Sequence, residues 1–128
     1  MKYLLFSFFF LLTVLNAVQA QFVTITPEAA AVKIKKKRIV VLDVRTKEEF
    51  AQGHLPRAVN IDVLDSVNFM QQIQSLRKNK TYVVYCRSGK RSVKASEMLI
   101  NNQFKHIYNM EGGILAWKGE LLKQNEKQ

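Results

Sequence analysis

Cysteine is nearly absent from this chain of 128 residues: Cys86 stands alone. A disulfide within the chain and Cys-x-x-Cys redox chemistry are therefore excluded, since both need a second thiol. Histidine is scarce too. His54 and His106, scattered with one cysteine, give no metal-ligand spacing, so neither a metal nor a cofactor is expected. Acidic residues are missing from Ser66 to Ser96, where Arg77, Lys78, Lys80, Arg87, Lys90, Arg91 and Lys94 all lie. That stretch surrounds Cys86 in sequence and is expected to draw in small anions. The chain shows no internal repeat, no low-complexity segment and no recognisable nucleic-acid motif, so its net charge of +10 does not point to a nucleic-acid partner.

The one long apolar run, Tyr3–Leu15, breaks at Asn16 and falls short of the about 20 apolar residues that span a bilayer. Lys2 precedes it and Val18-Gln19-Ala20 follows, which is the pattern of a secretory signal. Residues 1–20 are therefore read as a signal cleaved after Ala20, and 21–128 as one small domain with its core over about 22–122. No stable membrane span remains after processing, and the expected location is outside the cytoplasm, in a bacterial periplasm. With no cysteine at the cleavage site, a lipid-anchored form is not expected. The run Lys33-Ile34-Lys35-Lys36-Lys37-Arg38 reads as a solvated helix end and turn, with contact to an anionic membrane surface as the alternative.

An exported domain ordinarily uses cysteines in pairs, so a lone one invites a different explanation. Cys86 closes the apolar run Tyr82-Val83-Val84-Tyr85 and is followed by Arg87-Ser88-Gly89-Lys90-Arg91-Ser92. A strand ending on a thiol, then a short cationic loop with a glycine, then a helical pattern, points backbone N–H groups and a helix N-terminus at one sulfur atom. Such surroundings stabilise a thiolate and hold an anion beside it. Cys86 is read as the nucleophile, and Arg87, Ser88, Gly89, Lys90, Arg91 and Ser92 as the anion-binding loop. A buried, inert thiol is the competing reading, and the neighbouring cations argue against it.

The rest of the chain alternates strand and helix signals. Phe22–Ile25 reads as a short edge strand, and Thr26 caps a helix with Pro27 at its first position. Ile39–Val44 is apolar almost throughout, as a strand buried on both faces should be. Thr46-x-x-Glu49 is a capping box for a brief helix that Gly53 ends. Ala58–Ile61 is another short strand, and Asp65 opens a helix with Val67, Met70, Ile73 and Leu76 as its apolar positions. Thr81–Tyr85 is a strand, Ser92–Asn102 a helix and His106–Asn109 a strand, and Ile114-Leu115-Ala116-Trp117 opens a last amphipathic helix. This alternation predicts an α/β fold: a doubly wound, mainly parallel sheet with helices on both faces and reactive groups beyond the carboxyl ends of the strands.

Three segments then carry a resemblance. Leu42-Asp43-Val44-Arg45, with Glu48-Glu49-Phe50, Gly53-His54-Leu55-Pro56 and Ala58-Val59-Asn60-Ile61, is similar to the opening signature of the single-domain rhodaneses. The Cys86–Ser92 loop resembles their active-site loop, and Gly112-Gly113-Ile114-Leu115-Ala116-Trp117 their closing motif. Arg57 departs from the pattern, standing where the family more often has glycine, at a position expected to be a turn. The resemblance implies a rhodanese-like fold and sulfurtransfer: Cys86 takes sulfur from a small anionic donor such as thiosulfate, and cyanide or a thiol then removes it. Two-step transfer through one covalent intermediate implies ping-pong kinetics. Arg87, Lys90 and Arg91 would attract and orient the donor.

Other residues read more plainly. Asp43 and Arg45 are possible pocket-lining groups, although an Asp-x-Arg pair after a strand more often ties loops together. His54 reads as a hydrogen-bonded structural histidine, Tyr85 as core or pocket wall, and Trp117 with Gly112-Gly113 as packing and turn. Three alternatives stay open: a persulfide carrier serving a protein acceptor, a non-catalytic binding module, and a cysteine phosphatase or arsenate reductase. The last is disfavoured, because that family's arginine stands six residues after its cysteine, and Ser92 holds the sixth place here.

Overall fold

A computed structural model describes residues 21–124, and the segment read as a signal lies outside them. Five strands, β1 (Val23–Ile25), β2 (Val40–Asp43), β3 (Val59–Asn60), β4 (Thr81–Tyr85) and β5 (His106–Met110), form one sheet in the order β1-β5-β4-β2-β3. Every neighbouring pair is parallel. The helices are α1 (Pro27–Ile34), α2 (Lys47–Gln52), α3 (Ser66–Ile73), α4 (Lys90–Asn101) and the single turn α5 (Gly113–Ala116). This is the α/β architecture the alternation implies. Among these residues no helix is long and apolar enough to cross a membrane.

The apolar runs become the central strands because both faces of the sheet are covered. Along β4 the side chains alternate: Tyr82 and Val84 pack with α3 and α4 through Phe69, Ile73, Ala95 and Leu99, while Val83 and Tyr85 pack with α1 through Ala30 and Ile34. Continuing the alternation, Cys86 belongs to the α4 side. The capping residues behave as read. Thr26 Oγ1 accepts from Ala29 N–H at 3.1 Å, and Thr46 and Glu49 complete a reciprocal box.

Four expectations need correction. In α3 the buried pair is Phe69 and Ile73, four residues apart, whereas Val67 is 71% exposed; a strict three-residue spacing drifts around a 3.6-residue helix. Helix α4 begins at Lys90 rather than Ser92, because Gly89 takes up the left-handed entry at φ 107°. The strand expected over Ala58–Ile61 shrinks to two paired residues. The last helix opens as expected but stops after one turn, since Trp117 is extended at φ −74°, ψ 129°. Arg57 does occupy the expected turn, at φ 60°, with its guanidinium donating to the carbonyls of Ile34, Lys37 and Ile39.

Candidate active site

Cys86 follows the last residue of β4, in the middle of the sheet at its carboxyl end. The loop reverses over its sulfur: Gly89 N–H donates to Cys86 Sγ at 3.1 Å, and Ser92 Oγ lies 3.5 Å from it. Burial, at 1% exposure, pushes the thiol up. The Ser92 hydroxyl and the N–H groups of Ser92, Gly89 and Ser88 outweigh that, and the net effect holds the thiol below its ordinary value. Ser92 is the third residue of the twelve-residue α4, so the positive end of that helix adds to the same field.

The loop owes its shape to a contact that sequence did not reveal. Ile114 N–H donates to Cys86 O at 2.8 Å, and Leu115 N–H to Arg87 O at 3.1 Å. In a trans peptide the C=O and the following N–H point in opposite directions. Holding these two carbonyls on α5 therefore turns the N–H groups of Arg87 and Ser88 away from α5. Gly113, at φ 59°, makes the approach feasible, since a Cβ there would overlap the carbonyls of Cys86 and Arg87. The reading of Gly112-Gly113 as packing and turn missed this role. A Gly-Gly pair before a short apolar segment was the available signal, but not its partner.

The cations divide in a way sequence proximity did not foretell. Arg91 is engaged in a bidentate pair, its two terminal nitrogens donating to the Glu49 carboxylate at 2.7 and 2.8 Å. That pair holds the Glu49 carboxyl down at about 2, with burial opposing and the Thr46 contacts assisting. Arg91 is thus not free to orient a donor as expected, and Glu49, read as a capping residue and part of the family signature, is its partner, which sequence did not reveal. Arg87 and Lys90 are exposed and make no ion pair among the described residues. Arg77, Lys78 and Lys80 lie before β4, at the opposite end of the sheet from Cys86, so they contribute little to its field.

Beneath the loop, on the α1 side, Asp43 and Tyr85 face each other across β2 and β4. Tyr85 O–H donates to Asp43 Oδ2 at 2.5 Å, and Leu55 N–H donates to the phenol oxygen at 3.1 Å. Burial first, then the Asp43 carboxylate, pushes the Tyr85 phenol far up, so it stays protonated. Arg45 forks onto Asp43, with its nearest nitrogen at 2.7 Å, and also donates to Gly53 O at 2.7 Å. The network ties β2, β4 and the segment after α2 together, which is the loop-tying role of Asp43 and Arg45. Arg45 additionally lines a cleft of about 300 Å³ with Glu49, Gly53, Arg87, Leu115 and Leu121. His54 stacks on Phe50 at 3.8 Å between ring centroids and donates from Nδ1 to Phe50 O. No His, Cys, Asp and Glu cluster able to hold a metal occurs among the described residues.

The family pattern described as "Rhodanese-like domain" matches residues 26–120, covering every element from α1 to α5. The chain belongs to the rhodanese-like family. It is 39% identical over 89 residues to the protein named "Putative sulfurtransferase YtwF" of Bacillus subtilis, covering 70% of this chain and 82% of that one. It is 33% identical over 96 residues to the tRNA uridine(34) hydroxylase of Buchnera aphidicola, but spans only 29% of that longer protein. Among solved structures, a rhodanese-like domain protein from Staphylococcus aureus superposes with a TM-score of 0.70 at 34% identity, covering 81% of this chain and 100% of that one. The fold and a sulfurtransferase-type relationship follow from these similarities. The breadth of the relatives leaves the particular reaction of this rhodanese-like domain to its own site.

Proposed function

We propose that this protein is a sulfurtransferase that carries sulfane sulfur on Cys86. The observation that bears most weight is the convergence of Gly89 N–H and the Ser92 hydroxyl on a sulfur whose thiol is held below its ordinary value. The Cys86 thiolate attacks the outer sulfur of thiosulfate, forming one S–S bond as the donor's own S–S bond breaks. Sulfite leaves with the bonding pair. An acceptor thiolate or cyanide then attacks the terminal sulfur of the persulfide, and the Cys86 thiolate departs. The loop N–H groups serve both steps, because the charge they stabilise stays near one place throughout. Arg87 and Lys90 supply attraction for the anionic donor. No metal or cofactor takes part in this scheme. With Cys86 only 1% exposed, a slim donor whose reacting atom projects from its anionic group suits the site better than a bulky phosphate ester.

A protein acceptor is favoured by one further observation. Leu115 and Leu121, 63% and 45% exposed, line the cleft beside Arg87, an apolar rim that cyanide or a small thiol does not need. We place this chemistry outside the cytoplasm, a reading supported by the signal-like residues 1–20. Intact mass spectrometry after thiosulfate tests the central claim. A gain of one sulfur is expected, reversed by cyanide and absent in Cys86→Ser. An unchanged mass in the native protein would remove thiosulfate as donor.

A further inference from the structure

The parallel sheet has two poles, and charge is divided unequally between them. Every strand runs the same way, so the connections entering β2, β4 and β5 all emerge at the pole away from Cys86. These strands are neighbours, about 4.8 Å apart, which packs their entering loops into one patch about 10 Å across at its base. The loop before β2 brings Lys35 through Arg38, all exposed. The loop before β4 brings Arg77, Lys78 and Lys80, and the one before β5 brings Lys105.

None of these cations makes an ion pair among the described residues. Acidic residues gather at the other end: Glu48, Glu49, Asp62 and Asp65 follow the strands' carboxyl ends, and Glu28 opens α1 there. Glu97, near the end of α4, is the acid placed toward the basic pole. The surface is also braced. The Arg57 guanidinium donates to three carbonyls of the 34–39 turn, and Lys78 Nζ lies 5.9 Å from the ring centroid of Phe104, joining the second loop to the third.

We infer that this amino-terminal pole of the sheet is a docking surface for an anionic phospholipid bilayer. Adjacent exposed cations suit a plane of phosphate headgroups, and each contributes separately to membrane attraction. The chain's own layout favours a membrane over a nucleic acid. β1 pairs Val23 with Tyr108, so Gln21 and Phe22 enter at this same pole, and residues 1–20, with the apolar run Tyr3–Leu15, precede them in sequence. A leader still attached would meet the bilayer from that side, and a cleaved chain would place its new α-ammonium there. Bound this way, the domain presents the Cys86 loop and the Leu115–Leu121 rim to the medium, away from the lipid.

Co-sedimentation of the full chain with phosphatidylglycerol–phosphatidylcholine vesicles tests this. Wild type is compared with the pole variant K35Q/K37Q/K78Q/K80Q and with a charge-matched control, K47Q/K94Q/K118Q/K123Q. Partitioning is expected to fall about fivefold for each pole cation removed and to weaken with salt, while the control loses far less. Retained sulfur uptake at Cys86 reports that the pole variant is folded. Equal losses in the two variants would overturn the proposal, because net charge alone would then explain binding. Binding indifferent to the phosphatidylglycerol fraction would overturn it in favour of the apolar leader. Single-stranded RNA that displaces the wild type from vesicles and loses its own binding in the pole variant would reassign the surface to nucleic acid.

Discussion

Ser92 acts on Cys86 through two groups, its backbone N–H and its hydroxyl, and the hydroxyl also donates to Gly89 O at 3.0 Å. The protonated thiol donates to the Ser92 oxygen, and on ionisation the single hydroxyl proton turns from Gly89 O to the sulfur, so the oxygen is already in place when the charge forms. In Ser92→Ala the burial of Cys86 persists while one of the groups opposing its effect is gone. The thiol therefore moves upward, and the pH profile of alkylation by iodoacetamide shifts to the alkaline side. At neutral pH, sulfur-transfer kcat/KM is expected to fall about tenfold or more, the order of one hydrogen bond to a charged group. Ser92 is fully buried and small, so the fold should tolerate the change, and an unaltered alkylation profile would remove the hydroxyl from the machinery. The Ser96 hydroxyl and Asn109 Oδ1, buried on α4 and β5 without partners among the described residues, show that not every buried polar group here is so employed.

Among the helices, α5 is the shortest and has the most specific task. Four residues cannot form a helix alone, and what holds this turn is its pair of N–H donations to Cys86 O and Arg87 O. In Gly113→Ala the added methyl must displace those carbonyls while the backbone holds a left-handed conformation. We expect a loss of about 1–3 kcal/mol by denaturant titration and, with it, slower alkylation of Cys86. Gly53→Ala is the control. Its φ of 164° is extended, a Cβ there meets only Leu121 Cδ1 at 3.9 Å, and stability should hardly change. The same contrast explains what was legible in the sequence. The apolar runs of β2 and β4, the Thr46–Glu49 box and the turn at Arg57 are local facts, each declared by neighbouring residues. The Cys86 loop was readable because strand, thiol, glycine and helix are contiguous. The backing of that loop by Gly113 and the pairing of Arg91 with Glu49 join residues far apart in the chain. No local pattern encodes them; they exist only once the strand order has brought α2, α4 and α5 around one end of the sheet.

For the whole molecule, parallel topology sorts function by pole. It gathers the nucleophile, its donors and most acids at the carboxyl end, and leaves at the other end a set of cations that sequence order had partly credited to Cys86. One interaction at the active end also binds the molecule together, because the Arg91–Glu49 pair joins α4 to α2 directly. Folding lowers the Glu49 carboxyl from 4.5 to about 2, through Arg91 above all. A carboxyl lowered by folding adds stability that is fully present above its unfolded value and is lost as pH falls toward its folded one. The window therefore runs from about pH 4.5 down to about pH 2. The pair keeps 22% and 28% side-chain exposure, so solvent screening limits its worth to about 1–2 kcal/mol. Glu49→Gln keeps an oxygen to accept from Thr46 N–H but no longer titrates. Its urea stability should lie about 1–2 kcal/mol below wild type at pH 7, with the gap closing as pH approaches 2. A constant gap across that range would place the contribution of Glu49 in its shape rather than its charge. With Glu49 neutral, Arg91 loses its carboxylate and regains the freedom to face the loop, so the same variant should bind thiosulfate with a lower KM at neutral pH.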